Sequence, residues 1–198
     1  MPRPAGKSPE IRDRILAAAM DCFEAQGFAA TTMSMVVEAS GVARATVYSH
    51  FTSKDELAAA AARVQLDALI QAAPSQLGAG GLAGALKAFN RVSTAWLRKN
   101  AALAEVYMRH IQASANHSER PEADQPSLRR ALRALFAQAS ERGDLHRPSD
   151  TQFLADSYAL LWFNLCMQWL QQRDDAALDA RLGELVRLFD RGAVRATA

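Results

Sequence analysis

The sequence predicts an all-α protein of about nine helices, and three observations carry that expectation. Forty-one alanines stand against 20 β-branched residues (9 Val, 4 Ile, 7 Thr), a strong bias toward helix over strand. Apolar residues recur on one side of a 3.6-residue period in one stretch after another. Helix-start and helix-stop residues punctuate those stretches. The 198 residues, 49% hydrophobic and 22% charged, have the balance of a globular chain rather than a disordered or fibrous one.

The order of elements follows from these signals. Ser8, Pro9 and Glu10 form a start: a hydroxyl to accept from free amides, a proline suited to the first helical position, and an acid at the positive end. Ile11, Ile15, Ala18, Ala19, Cys22 and Phe23 then share one face, and Gly27 ends a first helix over about residues 9 to 26. Two short helices are expected near 33–40 and 44–50, separated by Gly41-Val42-Ala43. A fourth opens at the capping box Ser53-Lys54-Asp55-Glu56 and runs to about Ala73. Pro74 and the glycines from Gly78 to Gly84 break the pattern, giving a connector over 74–81. Helices resume near 82–99, 101–115, 127–142, 151–173 and 177–192, with a polar loop at 116–126 and a turn around Gly143-Asp144 and Arg147-Pro148-Ser149.

Several functional classes fall away. The apolar stretch from Tyr158 to Leu170 contains Asn164 and Gln168 and falls short of the roughly 20 residues a membrane-spanning helix needs. The first ten residues are basic but lack the apolar core of a secretory signal, which implies a cytoplasmic protein. Cys22 and Cys166 each lie in an apolar helical pattern and read as buried reduced thiols. His50, His110, His117 and His146 form no HExxH, and the chain has no GxSxG elbow and no P-loop. No enzymatic activity, metal or cofactor is therefore expected. The net charge of +2 is too small to imply a polyanionic partner. Residues 1–56 hold 6 basic and 7 acidic side chains, so any nucleic-acid argument rests on where residues sit.

Residues 31–57 hold such an arrangement. Met33, Val36, Val37, Val42, Val47 and Phe51 supply the apolar positions of two short helices crossing over a tight turn. Small Ala39 is expected to let them approach, and Gly41 to take the positive-φ position between them. If Val47 and Phe51 point inward, Arg44, Ala45, Thr46, Tyr48, Ser49 and His50 are left on the outer side, as a surface for a DNA major groove. This is the pattern of a helix-turn-helix.

The segment resembles the N-terminal DNA-binding domain of the TetR family of bacterial transcriptional regulators. Gly41-Val42, Thr46-Val47-Tyr48, His50-Phe51 and Lys54-Asp55-Glu56-Leu57 match the family in residue type and spacing. The resemblance implies a DNA-binding domain over residues 1–55 and a larger helical effector-binding and dimerisation domain over 56–198. Arg44, opening the recognition helix, is chemically suited to guanine O6 and N7. Ala45 suits a thymine methyl, and Thr46 either a base or a phosphate. Tyr48, His50 and Lys54 are expected on the DNA backbone, with Ser49, Thr32 and Ser34 as further contacts. The fourth helix's N-terminus, beside Lys54, is expected to favour a phosphate, and Arg3 and Lys7 to act as an arm. In place of a Ser or Thr cap before Arg44 stands Ala43, which leaves the recognition helix uncapped.

The helix near 151–173 is apolar all round, with Leu154, Tyr158, Leu161, Trp162, Leu165 and Trp169 to one side and Phe153, Leu160, Phe163, Met167 and Leu170 around the other. The last helix adds the face Leu178, Leu182, Leu185, Val186 and Phe189. Such helices must be covered on more than one side, which predicts a homodimer through the last two helices; a monomer whose own core needs both is the alternative. The family resemblance implies a small-molecule effector. Phe89, Trp96, Tyr107, His110, Phe136, Trp162 and Phe163 are candidates to line a mostly apolar site, although an ordinary core would account for most of them equally well.

Overall fold

The computed structural model describes residues 9–72, 80–114, 127–145 and 150–193. Among the described residues there are nine α-helices and no β-strand. Ser8, Arg3, Lys7 and most of the connectors expected at 74–81 and 116–126 lie outside them. No described helix is long and apolar enough to cross a membrane.

Helices α1 (Pro9–Ala30), α2 (Met33–Ser40), α3 (Arg44–His50), the first part of α4 (Lys54–Ala72) and α6 (Ala101–Ser114) belong to one compact unit. In α1 the regular helix breaks at Gly27, where φ is 81° and ψ is 162°, a conformation that a side chain would strain. The Thr31 hydroxyl seals the break by donating to the carbonyls of Gly27 at 2.9 Å and Cys22 at 3.2 Å. The inner face of α1 buries Ile15, Leu16, Ala18, Ala19 and Phe23, while Cys22 on the same face is only half-buried. Val36 of α2, Val42, Val47 of α3, Phe51, and Leu57, Ala58, Ala61 and Ala62 of α4 are also buried. Burying each large apolar side chain contributes about 1.5–3 kcal/mol, so short α2 and α3 are held by packing rather than by their own propensity.

In the second unit α7 (Ser127–Glu141) packs on α8 (Thr151–Gln172), α8 on α9 (Asp175–Ala193), and α5 (Gly81–Lys99) on both α7 and α9. Its centre is aromatic. Phe89, Phe136, Tyr158, Trp162 and Phe189 meet mostly edge to face, with centroids 5.1 to 6.4 Å apart, the arrangement ring quadrupoles favour. Polar ties close the periphery. Asp156 of α8 takes both Arg133 (2.9 Å) and Arg129 (3.4 Å) of α7. Arg98 of α5 bridges Asp175 (3.0 Å) and Asp179 (2.6 Å) of α9. Helix α9 begins two residues earlier than its apolar pattern suggests, because the Asp174 carboxylate accepts from the Ala177 amide at 2.9 Å and caps it.

Candidate nucleic-acid interface

The helix-turn-helix forms as its local sequence dictates. Thr32 caps α2 by accepting from the Met35 amide at 3.3 Å. Gly41 ends α2 in the left-handed region, φ 60° and ψ 20°. Helix α3 then starts at Arg44 with no side-chain cap; only the Ala43 carbonyl serves its first amides, those of Thr46 (2.9 Å) and Val47 (3.0 Å). One expectation is corrected in this turn. Ala39 is exposed, and the small residue buried beside the turn is Ser40, whose hydroxyl donates to the Val37 carbonyl (3.1 Å) and accepts from the Val42 amide (3.3 Å). A buried hydroxyl is tolerated there because both its bonds stay local.

Val47 and Phe51 are 0% and 1% exposed, which turns the other side of α3 outward. Arg44, Ala45, Tyr48 and Ser49 are exposed and Thr46 is half-buried. The Arg44 guanidinium lies over the Tyr48 ring, 5.4 Å from its centroid. Ser49 spends its hydroxyl proton on the Thr46 carbonyl at 2.7 Å, which leaves the oxygen as an acceptor. Thr32 and Ser34, at the start of α2, are both exposed. On the far side the Arg12 guanidinium covers the Phe51 ring at 4.9 Å, a contact that the sequence does not signal, because the partners lie 39 positions apart.

Two predicted contacts take different positions. The Nε2 of His50 is buried and unpartnered, so that atom does not face outward. Lys54 turns inward too: its ammonium donates to the carbonyls of Phe28 (2.9 Å) and Ala29 (3.3 Å) and sits 4.3 Å from the Phe28 ring centroid. The start of α4 is capped by its own sequence. Ser53 accepts from the Glu56 amide at 3.1 Å, as the capping box requires. The Glu56 carboxylate reaches Thr52 rather than Ser53, accepting from its amide (2.9 Å) and hydroxyl (2.8 Å).

The effector candidates divide. Phe89, Phe136 and Trp162 meet in the aromatic centre of the second unit, and Trp96 is buried on the same α5. Phe163 is half-buried. Tyr107 is buried on α6, within the first unit. His110 is exposed, two residues past the buried stretch Val106–Met108. The Tyr158 hydroxyl donates to Asn90 Oδ1 at 3.0 Å, and the indole Nε1 of Trp162 is buried with no partner. Among the described residues no group of His, Cys, Asp and Glu is placed to hold a metal ion.

Comparison with known proteins agrees with this geometry. Residues 15–61 match the family described as "Bacterial regulatory proteins, tetR family". The HTH-type transcriptional regulator TtgW from Pseudomonas putida is 40% identical over 53 residues, a stretch covering 27% of this chain and 40% of TtgW, so the likeness spans less than half of that relative. Over the whole fold, the transcriptional repressor QsdR of R. erythropolis, a TetR-family protein, superposes with a TM-score of 0.68 at 19% identity, covering 97% of this chain and 100% of QsdR. A TetR transcriptional regulator from Rhodococcus sp. RHA1 gives 0.62 at 21% identity, covering 92% and 96%. At these identities the two superpositions speak for the fold.

Proposed function

This chain belongs to the TetR family of bacterial regulatory proteins, and from that premise we propose a ligand-responsive repressor that binds a palindromic operator as a homodimer. It is a transcriptional regulator, not an enzyme. The carrying observation is the outward face of α3, where Arg44, Ala45, Tyr48 and Ser49 are presented by a helix anchored through Val47 and Phe51. Residues 1–55 are taken as the reading head and 56–198 as the effector and dimer domain, working in the cytoplasm where the operator lies.

Arg44 reads a guanine edge and Ala45 a thymine methyl. Thr46, Tyr48, Ser49, Thr32 and Ser34 hold the backbone or an adjacent base. The dimer forms through α8 and α9. Phe153 and Leu160 are each 67% exposed, Leu161 42% and Leu188 61%, and large apolar groups grouped on two adjacent helices favour a covering partner. Two-fold symmetry then sets the recognition helices about one duplex turn apart.

The effector is small and mostly apolar. An acceptor oxygen on it would satisfy the orphaned Trp162 indole, which otherwise costs stability. Its release of DNA follows from differential affinity for two head spacings. Selection of bound sequences from random duplex DNA tests the reading. A recovered palindrome bound by the dimer is expected; no enrichment over the starting pool rejects it.

A further inference from the structure

Helix α4 begins with a cation at its own positive end, where the peptide dipole repels it. The conflict is resolved by the direction of the side chain. The ammonium of Lys54 leaves α4 and settles on the opposite kind of terminus, the carbonyl end of α1, at Phe28 and Ala29, with the Phe28 ring beneath it. That terminus offers unused carbonyls because Phe28 and Ala29 lie in the last turn of α1, which ends at Ala30. A phosphate has little reason to draw Lys54 away, since Asp55 and Glu56 place two carboxylates in the same first turn of α4 and Ser53 already caps the Glu56 amide there.

We infer that Lys54 is a positioning residue for the recognition helix rather than a phosphate contact. Only Phe51, Thr52 and Ser53 separate it from the end of α3. Fixing the ammonium on the end of α1 fixes where α3 leaves the head. Arg12, lying over Phe51, fixes the same exit from the other end of α1. The outward face of α3 is thereby held at one angle to α1, and DNA reads that angle. The inference rests on the DNA-binding reading above.

The test compares wild type, Lys54→Met and Phe28→Leu in the full-length chain. Binding to a duplex selected by the wild type is measured by fluorescence anisotropy between about 50 and 200 mM salt, the range over which phosphate contacts are read. The temperature is one at which circular dichroism shows all three proteins folded. A neutralised phosphate contributes a slope of about 0.9 to the dependence of log affinity on log salt. The expected result is about tenfold weaker binding for Lys54→Met, as for loss of a charge-assisted contact, and a smaller loss for Phe28→Leu, both with the wild-type slope. Phe28→Leu removes no charge, so a phosphate role for Lys54 predicts no effect from it. A slope lowered by about one in Lys54→Met overturns the inference in favour of a phosphate contact. Unchanged affinity in Lys54→Met also overturns it, whatever the melting temperature does. A wild-type chain that enriches no duplex fails the DNA-binding reading itself, and this inference with it.

Discussion

The guanidinium of Arg44 stands over the phenol ring of Tyr48 one helical turn away, 5.4 Å from its centroid. The side chain best suited to read a base is thus steadied by one suited to hold the backbone. A cation over an aromatic face at an exposed site is worth about 0.5–1 kcal/mol, enough to bias the Arg44 rotamer without locking it.

Replacement of Arg44 by Ala should cost about 1–3 kcal/mol of discrimination at one base pair of each half-site. Tyr48→Phe keeps the ring under Arg44 and removes only the hydroxyl, so affinity should fall while base preference stays. Anisotropy titrations on the selected duplex and on single-base variants read both outcomes; equal losses on all sequences for Arg44→Ala would show that it contacts only backbone.

Ala43 leaves α3 without a side-chain cap, so Ala43→Ser should stabilise the chain by about 1 kcal/mol. Thermal denaturation followed by circular dichroism should show a higher midpoint. No rise would mean that the extended backbone at Ala43, φ −53° and ψ 135°, does not bring a serine hydroxyl within reach of the free amides.

The bare apolar positions of α8 give a direct test of assembly. Phe153→Asp combined with Leu160→Asp places two charges where a partner helix is expected, while both residues remain solvent-exposed in the single chain. Sedimentation should show a monomer at micromolar concentration, with the helical circular dichroism unchanged and operator affinity lost. A dimer that survives this pair is built on other helices.

Burial raises the Tyr158 phenol and the Cys166 thiol above their ordinary values of 10.0 and 9.0. The folded state therefore keeps both protons at a pH where the unfolded chain has lost them. Stability is complete below about pH 9 and declines as pH climbs through the two ordinary values, by up to about 1.4 kcal/mol per pH unit for each group. Urea midpoints measured from pH 7 to 11 should be flat at first and then fall. Cys166→Ala should remove the earlier part of the fall, and a profile identical to wild type would assign it elsewhere.

Tyr158→Phe leaves the buried Asn90 Oδ1 without the proton it accepts at 3.0 Å. Destabilisation by about 1–3 kcal/mol is expected, and Tyr158→Phe with Asn90→Leu should recover part of it. Urea denaturation of the single and double variants measures the coupling.

Much of this was legible in the sequence because it was local. The inward pair Val47 and Phe51, the positive φ of Gly41 and the missing cap at Ala43 all follow from residues within a turn or two of one another. The family resemblance rested on the same short range, where spacing alone carries the chemistry. Less legible was the helix α8: its all-round apolar pattern does not say which residues the chain's own core takes. Packing buried Tyr158, Trp162, Cys166, Trp169 and Leu170 and left Phe153, Leu160 and Leu161 outside.

The remaining decisions were made in three dimensions. Lys54 has the residue type of a phosphate contact, yet its ammonium found carbonyls 25 and 26 positions back along the chain. His110 has the spacing of the buried face of α6, three and four residues past Tyr107 and Val106, yet is exposed. Sequence by itself determined the helices, their order and the shape of the reading head, because backbone periodicity and glycine conformation are properties of neighbours. Tertiary structure alone decided which side chains remain free, because a long charged side chain goes to whichever unsatisfied group the fold brings within its reach.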